Sequence, residues 1–533
     1  MGMSIEITKF RKNISTFSLI MTGVTAILGS GWLLGTQKIA NVAGPAGLLS
    51  WVLGAVVALL VSLFFIEIGS ANPSSGGIGY YSHVTHGRFC GFLTSWINWL
   101  SIVAVAPIEA QGVVQYGSQL SPALNTLYNV PTHALTPVGI VVALGFMLFF
   151  MGINYWSVRL FIYFNNLAAL LKLVVPILTI IVLMYEGLHT QNFGNNMQTF
   201  MPFGMKSILM SVVTCGVVMS FNGFQSPLNF SEEIANPKKM LPIAIVSSIL
   251  ITFVIYMLLQ IVFVGSLTPS MLAHGWGAIN LRSPYVDILL LMNLQLMVIG
   301  VYASSVVSPS ATGALFIASS SRILFSLSHE KHLPAFLSQL NPIYYNPRKS
   351  IVASTLVGCI FLFLFKGWYE LVAVISVIHL FSYLPAPIIV IANRIKNKSI
   401  LVKKDQFIMP FAKIFAPVLL FILSMLLFSA QWPLAGEMLI LVVPGLLFYT
   451  YYEYKNHRGK GFLKALRGAS WLIFYILGIS LIAYMGNNPA HAVQQISTTV
   501  STICLVVLTL FTYFYGVYFA MDDEHYRRGD LPA

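Results

Sequence analysis

Two ionisable residues stand inside long apolar runs. Lys172, in Asn165-Asn166-Leu-Ala-Ala-Leu-Leu-Lys172-Leu-Val-Val-Pro176, is at the centre of a run over 158–186. Glu109, in Ala106-Pro107-Ile108-Glu109-Ala110-Gln111, is near the middle of a run over 91–120. If these runs cross a bilayer, each charge at its centre costs roughly 2.5–3.5 kcal/mol on insertion scales. Such residues face a partner, a cavity or a proton path, so each is a candidate to exchange a proton. The structural alternative is a buried Lys–Glu pair that only ties helices together, or a lysine donating to backbone carbonyls.

A second feature lies in the backbone. One run reads Gly23-Val-Thr-Ala-Ile-Leu-Gly29-Ser30-Gly31-Trp32-Leu-Leu-Gly35, and another reads Met219-Ser220-Phe221-Asn222-Gly223-Phe224-Gln225-Ser226-Pro227. Backbone polar groups in lipid must be satisfied within the protein, so a mid-membrane break is tolerated only where it lines a cavity. Unwinding frees N–H groups at a half-helix N-terminus, where the dipole is positive and can hold a carboxylate. The freed carbonyls of the opposing half can hold an ammonium. Glycine-rich helix packing, as in Gly31-Trp-Leu-Leu-Gly35, is the competing reading.

Composition supports a membrane setting for these features. The chain has 533 residues, 57% hydrophobic and 8% charged, with mean hydropathy +0.81. Soluble domains carry about 25% charged residues, so a soluble enzyme of this size is excluded, as are disordered and collagen-like chains. Apolar blocks predict fourteen spans, near 16–40, 46–71, 91–120, 137–155, 158–186, 207–231, 241–265, 285–325, 350–366, 369–391, 410–430, 435–454, 469–486 and 496–519. The block at 285–325 is overlong and the ninth is short.

With the N-terminus inside and the spans alternating, only Lys38, Lys206, Arg282 and Lys366 face outward. Lys172 and Lys413 fall within spans, and the other 23 of the 29 Lys and Arg face the cytoplasm. This asymmetry follows the positive-inside rule and predicts two cytoplasmic termini. The net charge of +13 then reflects basic loops rather than nucleic-acid binding. The four cysteines form no C-x-x-C pair and the 11 His no ligand spacing, so no metal site or disulfide framework is expected. Glu67 reads as an interfacial structural residue, and Asp287, Glu370 and Glu437 as partners of helix N-termini. Ser304, Ser305 and Ser308 can face a cavity or bond their own helix.

Spans 1 and 6 are corresponding members of two five-helix halves and run in opposite directions. Paired interruptions of this kind point to an inverted-repeat transporter with its site at the midplane. At these residues the chain resembles the amino acid–polyamine–organocation superfamily. The motifs are Gly29-Ser30-Gly31 followed by Ala43-Gly44-Pro45; Glu67 through Pro73, Gly76, Gly77 and Tyr80; Phe221-Asn222-Gly223-Phe224 leading into Glu232-Glu233, Asn236-Pro237-Lys238-Lys239 and Pro242; and Ser321-Arg322 with His332-Leu333-Pro334. A finer resemblance, to bacterial aspartate–proton symporters, rests on Gly76–Gly87, Asn154–Arg159 and His274–Ile279.

The resemblance implies an all-α membrane protein of the LeuT-type fold, with 1–15 a cytoplasmic segment, 16–186 and 207–391 the inverted repeats, 410–519 the peripheral spans 11–14 and 520–533 a cytoplasmic tail. It implies substrate binding at Ile27, Gly29, Ser30, Gly31, Phe221, Asn222, Gly223 and Phe224, with Lys172 and Glu109 in proton coupling. Ser304, Ser305 and Ser308 are further candidate contacts. Two residues depart from the family pattern: Trp32 follows the G-S-G motif, and Met219 stands where many relatives have an aromatic gate. The expected function is proton-coupled uptake of an amino acid, with an acidic side chain one option, across the bacterial cytoplasmic membrane by alternating access. No cofactor is expected beyond the proton, and the partners are substrate and lipid. An exchanger without net proton flow is the alternative. A sensor or channel fits less well, for want of an output domain or a continuous polar stripe, and nothing suggests an enzyme.

Overall fold

The computed structural model describes residues 15–71, 77–156, 158–228, 234, 236–344, 346–396, 406–457, 462–486, 488 and 495–520. Both termini, Pro73, Gly76 and Glu232-Glu233 lie outside the described residues, so their expected roles and the cytoplasmic placement of the ends have no structural counterpart here.

The described chain is all-α apart from a short hairpin pairing Tyr128–Asn129 with Ala134–Leu135. In chain order the helices are α1 (Thr16–Ile27), α2 (Gly31–Ala43), α3 (Gly47–Ala71), α4 (Gly77–His86), α5 (Arg88–Val103), α6 (Val105–Gly117), α7 (Pro137–Trp156), α8 (Val158–Glu186), α9 (Met197–Phe200), α10 (Gly204–Thr214) and α11 (Val217–Ser220). There follow α12 (Pro237–Ser266), α13 (Pro284–Leu291), α14 (Gln295–His329), α15 (Arg348–Leu364), α16 (Trp368–Tyr383), α17 (Pro385–Lys396), α18 (Ala412–Ser429), α19 (Leu434–His457), α20 (Phe462–Gly486) and α21 (Thr498–Tyr518).

Among the described residues, eleven helical stretches are long and apolar enough to cross a membrane. They differ from the fourteen expected spans for local reasons. Span 1 is split between α1 and α2, and its second half runs on into α3 within one stretch, Gly31–Ser70. Span 6 is split at Cys215–Gly216 and again after Ser220. The ninth block forms α15, only 17 residues long. The overlong eighth block divides into α13 and the 35-residue α14.

Start signals sit where helix physics places them. Ser15 accepts the Ser18 N–H at 3.1 Å to cap α1, and Asn236 caps α12 ahead of Pro237. The long helices carry exposed apolar side chains such as Val141, Ile181, Ile299 and Phe514, a surface that lipid covers at no desolvation cost. The stretches 88–117 and 368–396 are almost wholly buried and form the centre. α14 packs against α5 and α6, and α10 and α11 against α16, while α12 packs against α1 and α3; α19 and α20 meet α5, and α18 and α21 meet α17.

Glu67, at the end of α3, takes a two-pronged ion pair from Arg394 of α17 at 2.8 and 2.6 Å and accepts the Met409 N–H at 2.8 Å. Its structural reading holds. Asp287, Glu370 and Glu437 each occupy a first helical turn, as expected.

Candidate functional site

The break in span 1 spans Leu28–Ser30 and leaves two raw helix ends facing each other. The last carbonyls of α1 and the first N–H groups of α2 have no intrahelical partner. At the α1 end, Lys172 Nζ, from the middle of α8, donates to Thr25 O at 2.8 Å and to Thr312 Oγ1 of α14 at 2.7 Å. Tyr256 OH of α12 donates to Ile27 O at 3.1 Å. Thr312 Oγ1 stands 3.3 Å from Leu28 O. At the α2 end, Glu109 Oε2 of α6 accepts the Ser30 N–H at 2.8 Å, and Trp368 Nε1 donates to Ser30 Oγ at 2.9 Å.

A lysine amine caps the C-terminal end of α1 and a carboxyl group caps the N-terminal end of α2, so each, when ionised, meets the dipole end of opposite sign. Lys172 and Glu109 are both 0% exposed, so neither charge is solvated by water. The backbone of the break takes over that role, which is why the helix can be interrupted here.

The second break meets the first. Gly216 has φ 81 and Gly223 φ 108, both left-handed. At Gly223 a Cβ would stand 2.7 Å from Ala26 O and 3.1 Å from Ile27 N, so the two breaks touch through backbone that only glycine allows. Tyr256 OH reaches Ser220 O at 3.1 Å as well as Ile27 O, and so bridges both breaks with one hydroxyl. At Gly29 a Cβ would come within 2.5 Å of Glu109 Oε1; a side chain there would displace the carboxylate.

Between the breaks lies a cavity lined by Ala26, Ile27, Gly29, Gly31, Val105, Glu109, Met219, Ser220, Asn222, Thr312 and Phe316. It has room for about one water molecule and not for an amino acid. The conformer is closed around this point. Asn222 is 2% exposed, and both its amide atoms lack a hydrogen-bond partner among the described residues, as does Glu109 Oε1. Buried polar atoms without a protein partner call for an explanation, such as a water or a bound polar group.

Of the expected residues, Ile27, Gly29, Gly31, Asn222 and Glu109 line the cavity, and Ser30 and Lys172 bond its walls through Glu109 and Thr312. Phe221 and Phe224 turn away. Phe221 packs edge-on against Trp51 and Tyr256, and Phe224 packs against Phe65 and Tyr383. Gly223 contributes closeness of backbone rather than lining. Ser305 bonds the Tyr302 carbonyl of its own helix at 2.8 Å. Ser304 and Ser308 are buried two turns and one turn from Thr312, along the face that meets Lys172.

Sequence reasoning missed Thr312, Tyr256, Ser220 and Phe316. A hydroxyl on a Ser-rich helix and a tyrosine in a membrane span both have commoner explanations. The four-residue spacing Ser304–Ser308–Thr312 was the available signal.

Residues 14–449 match the model of a family described as amino acid permease. The chain is 38% identical over 525 residues to the glutamate/serine transporter AimA of Bacillus subtilis (strain 168), covering 97% of this chain and 96% of that one. It is 30% identical over 515 residues to the aspartate-proton symporter of the same organism, covering 96% of each. A methylthioribose transporter, also from that organism, is 25% identical over 456 residues, covering 84% of this chain and 94% of that one. The identity to AimA exceeds that to the aspartate-proton symporter, so the expected closeness to aspartate symporters is corrected to kinship with several Bacillus transporters.

Proposed function

Because the chain belongs to the amino acid permease family, a family of integral membrane transporters rather than enzymes, we propose that it is a proton-coupled amino acid importer of the bacterial cytoplasmic membrane, working by alternating access. In this reading the chain has fourteen spans and a LeuT-type fold. Its repeats are 16–186 and 207–391, spans 11–14 (410–519) are peripheral, and the flanking segments 1–15 and 520–533 are cytoplasmic. The kinship with an aspartate-proton symporter supports the coupling.

The observation that carries the reading is the capping of one helix break by opposite charges. The substrate's α-carboxylate takes the N–H groups at the start of α2, and its α-ammonium takes the carbonyls at the end of α1. Glu109 already sits on the Ser30 N–H at 2.8 Å, so an incoming carboxylate must displace it. Two carboxylates at one helix end repel, so substrate enters together with a proton on Glu109. Lys172 as a cation holds α1, α8 and α14 together through Thr25 O and Thr312 Oγ1. Release of one proton from the Lys172–Glu109 pair to the cytoplasm loosens that contact and resets the carrier.

The cavity lining contains Glu109 and no Lys or Arg. A small neutral side chain, placed against Asn222 and Ser220, is therefore favoured over an ionised acidic one. The test is a thermal-shift screen of the amino acids on purified protein, followed by uptake of the hits into empty proteoliposomes under an imposed inward proton gradient. Accumulation supports symport. Uptake seen only with amino acid preloaded inside would make the carrier an exchanger.

A further inference from the structure

α14 ends in a tight cap. Lys331 N–H donates to Ser328 O and His332 N–H donates to Leu327 O, both at 3.0 Å, with Lys331 at φ 63. This is the paired bonding of a Schellman motif, with lysine where glycine is usual. Asn456 Nδ2 of α19 secures the Lys331 carbonyl at 2.8 Å. The turn aims Glu330 and His332 at α4, where His83 stands.

Glu330 Oε2 lies 4.0 Å from His83 Nδ1 and 3.9 Å from His332 Nε2. The three ligating atoms are all within 4.8 Å of one another. They come from two segments far apart in sequence, so no ligand spacing could reveal them. His83 is 8% and His332 3% exposed. His83 Nδ1 has no hydrogen-bond partner among the described residues, and 4.0 Å is too long for one to Glu330.

The rings are held in place. His332 lies 5.4 Å from Phe92 and 5.6 Å from Tyr449, centre to centre. His83 is pressed by the α5 backbone at Gly91, where a Cβ would sit 2.5 Å from its own Cβ.

Two imidazoles and a carboxylate converging on one point are a donor set for zinc, which takes His nitrogens and carboxylate oxygens at about 2.0–2.2 Å and keeps a fourth position for water. We propose that His83, Glu330 and His332 bind a divalent transition metal, Zn²⁺ foremost, which clamps α4 to the end of α14. Tetrahedral ligands at that bond length stand roughly 3.3 Å apart, so the side chains close in by about an ångström by rotating. α14 also carries Thr312, which Lys172 holds. The clamp therefore fixes one end of the helix whose middle Lys172 holds.

The test uses the purified full-length protein, stripped with EDTA and titrated with Zn²⁺ alone by calorimetry and thermal melting. The expected result is one Zn²⁺ per chain at micromolar affinity or tighter, and a melting temperature raised by Zn²⁺ and restored by EDTA. His83→Ala and His332→Ala each weaken binding by at least about tenfold, while the exposed control His274→Ala binds as the parent does. His83→Gln, which keeps a polar side chain against Gly91, serves if the alanine variant misfolds. Zinc-edge X-ray absorption should show nitrogen and oxygen ligands only. Binding unchanged in the His83 and His332 variants, or no binding at micromolar Zn²⁺, overturns the proposal.

Discussion

Glu109→Gln tests how substrate and proton share one helix end. The amide oxygen can still accept the Ser30 N–H that Glu109 Oε2 accepts at 2.8 Å, so the break keeps its cap and loses only the charge. Hydrogen bonds to charged groups contribute about 1.5–3 kcal/mol and neutral ones about 0.5–1.5, so the static cost is on the order of 1 kcal/mol, and the protein should fold. The effect on binding is larger. A substrate carboxylate about 4 Å from an ionised Glu109 meets roughly 4 kcal/mol of repulsion at an effective dielectric of 20, which exceeds the cost of bringing a proton along. In the parent, one proton enters with each substrate, so affinity rises as pH falls, by up to about tenfold per pH unit. In Glu109→Gln there is no anion to neutralise, and affinity becomes flat with pH. Radioligand binding to purified protein between acidic and mildly alkaline pH reads both slopes. A glutamine variant that keeps the parent's slope refutes the argument that Glu109 takes the proton.

Two further substitutions probe the contact between the breaks. Tyr256→Phe removes the single hydroxyl hydrogen that Ile27 O and Ser220 O share, so thermal or denaturant melting should show a loss of about 1–3 kcal/mol together with weaker substrate binding; an unchanged melt would mean the bridge carries no energy. Gly223→Ala imposes a Cβ at φ 108, 2.7 Å from Ala26 O, a strain of roughly 1–3 kcal/mol before any clash. It should abolish uptake while leaving membrane insertion intact, as judged by a monodisperse detergent profile, and retained uptake would show that the two breaks need not touch.

The legible part of this molecule is what lipid penalises. Lys172 and Glu109 stand out because nothing solvates a charge in a bilayer except a partner, and the partners are the freed backbone of the break. Gly29–Gly31 is readable for the same reason, since an interrupted helix in lipid needs a purpose. The rest depends on three-dimensional neighbours. Thr312 reads as one more hydroxyl on α14 until Lys172 is seen to reach it. Tyr256 reads as an interfacial aromatic until its hydroxyl is found between two carbonyls. The break in span 6 was expected around Gly223, yet the helix already fails at Gly216, whose apolar flanks give no polar cue. Phe221 and Phe224 flank the break in sequence, but adjacency does not fix which way a ring points. The finer family likeness resolves only to kinship, since the chain is 38% identical to a glutamate/serine transporter and 30% identical to an aspartate-proton symporter.

The central claim, that the Lys172–Glu109 pair at a helix break couples transport to protons, is tested most directly with Lys172→Met, which keeps the apolar stem and removes the donor. In proteoliposomes with an imposed inward proton gradient, the account predicts that the parent accumulates substrate, whereas the variant exchanges substrate across the membrane without accumulating it. Accumulation by the variant with the parent's dependence on the gradient would contradict the account.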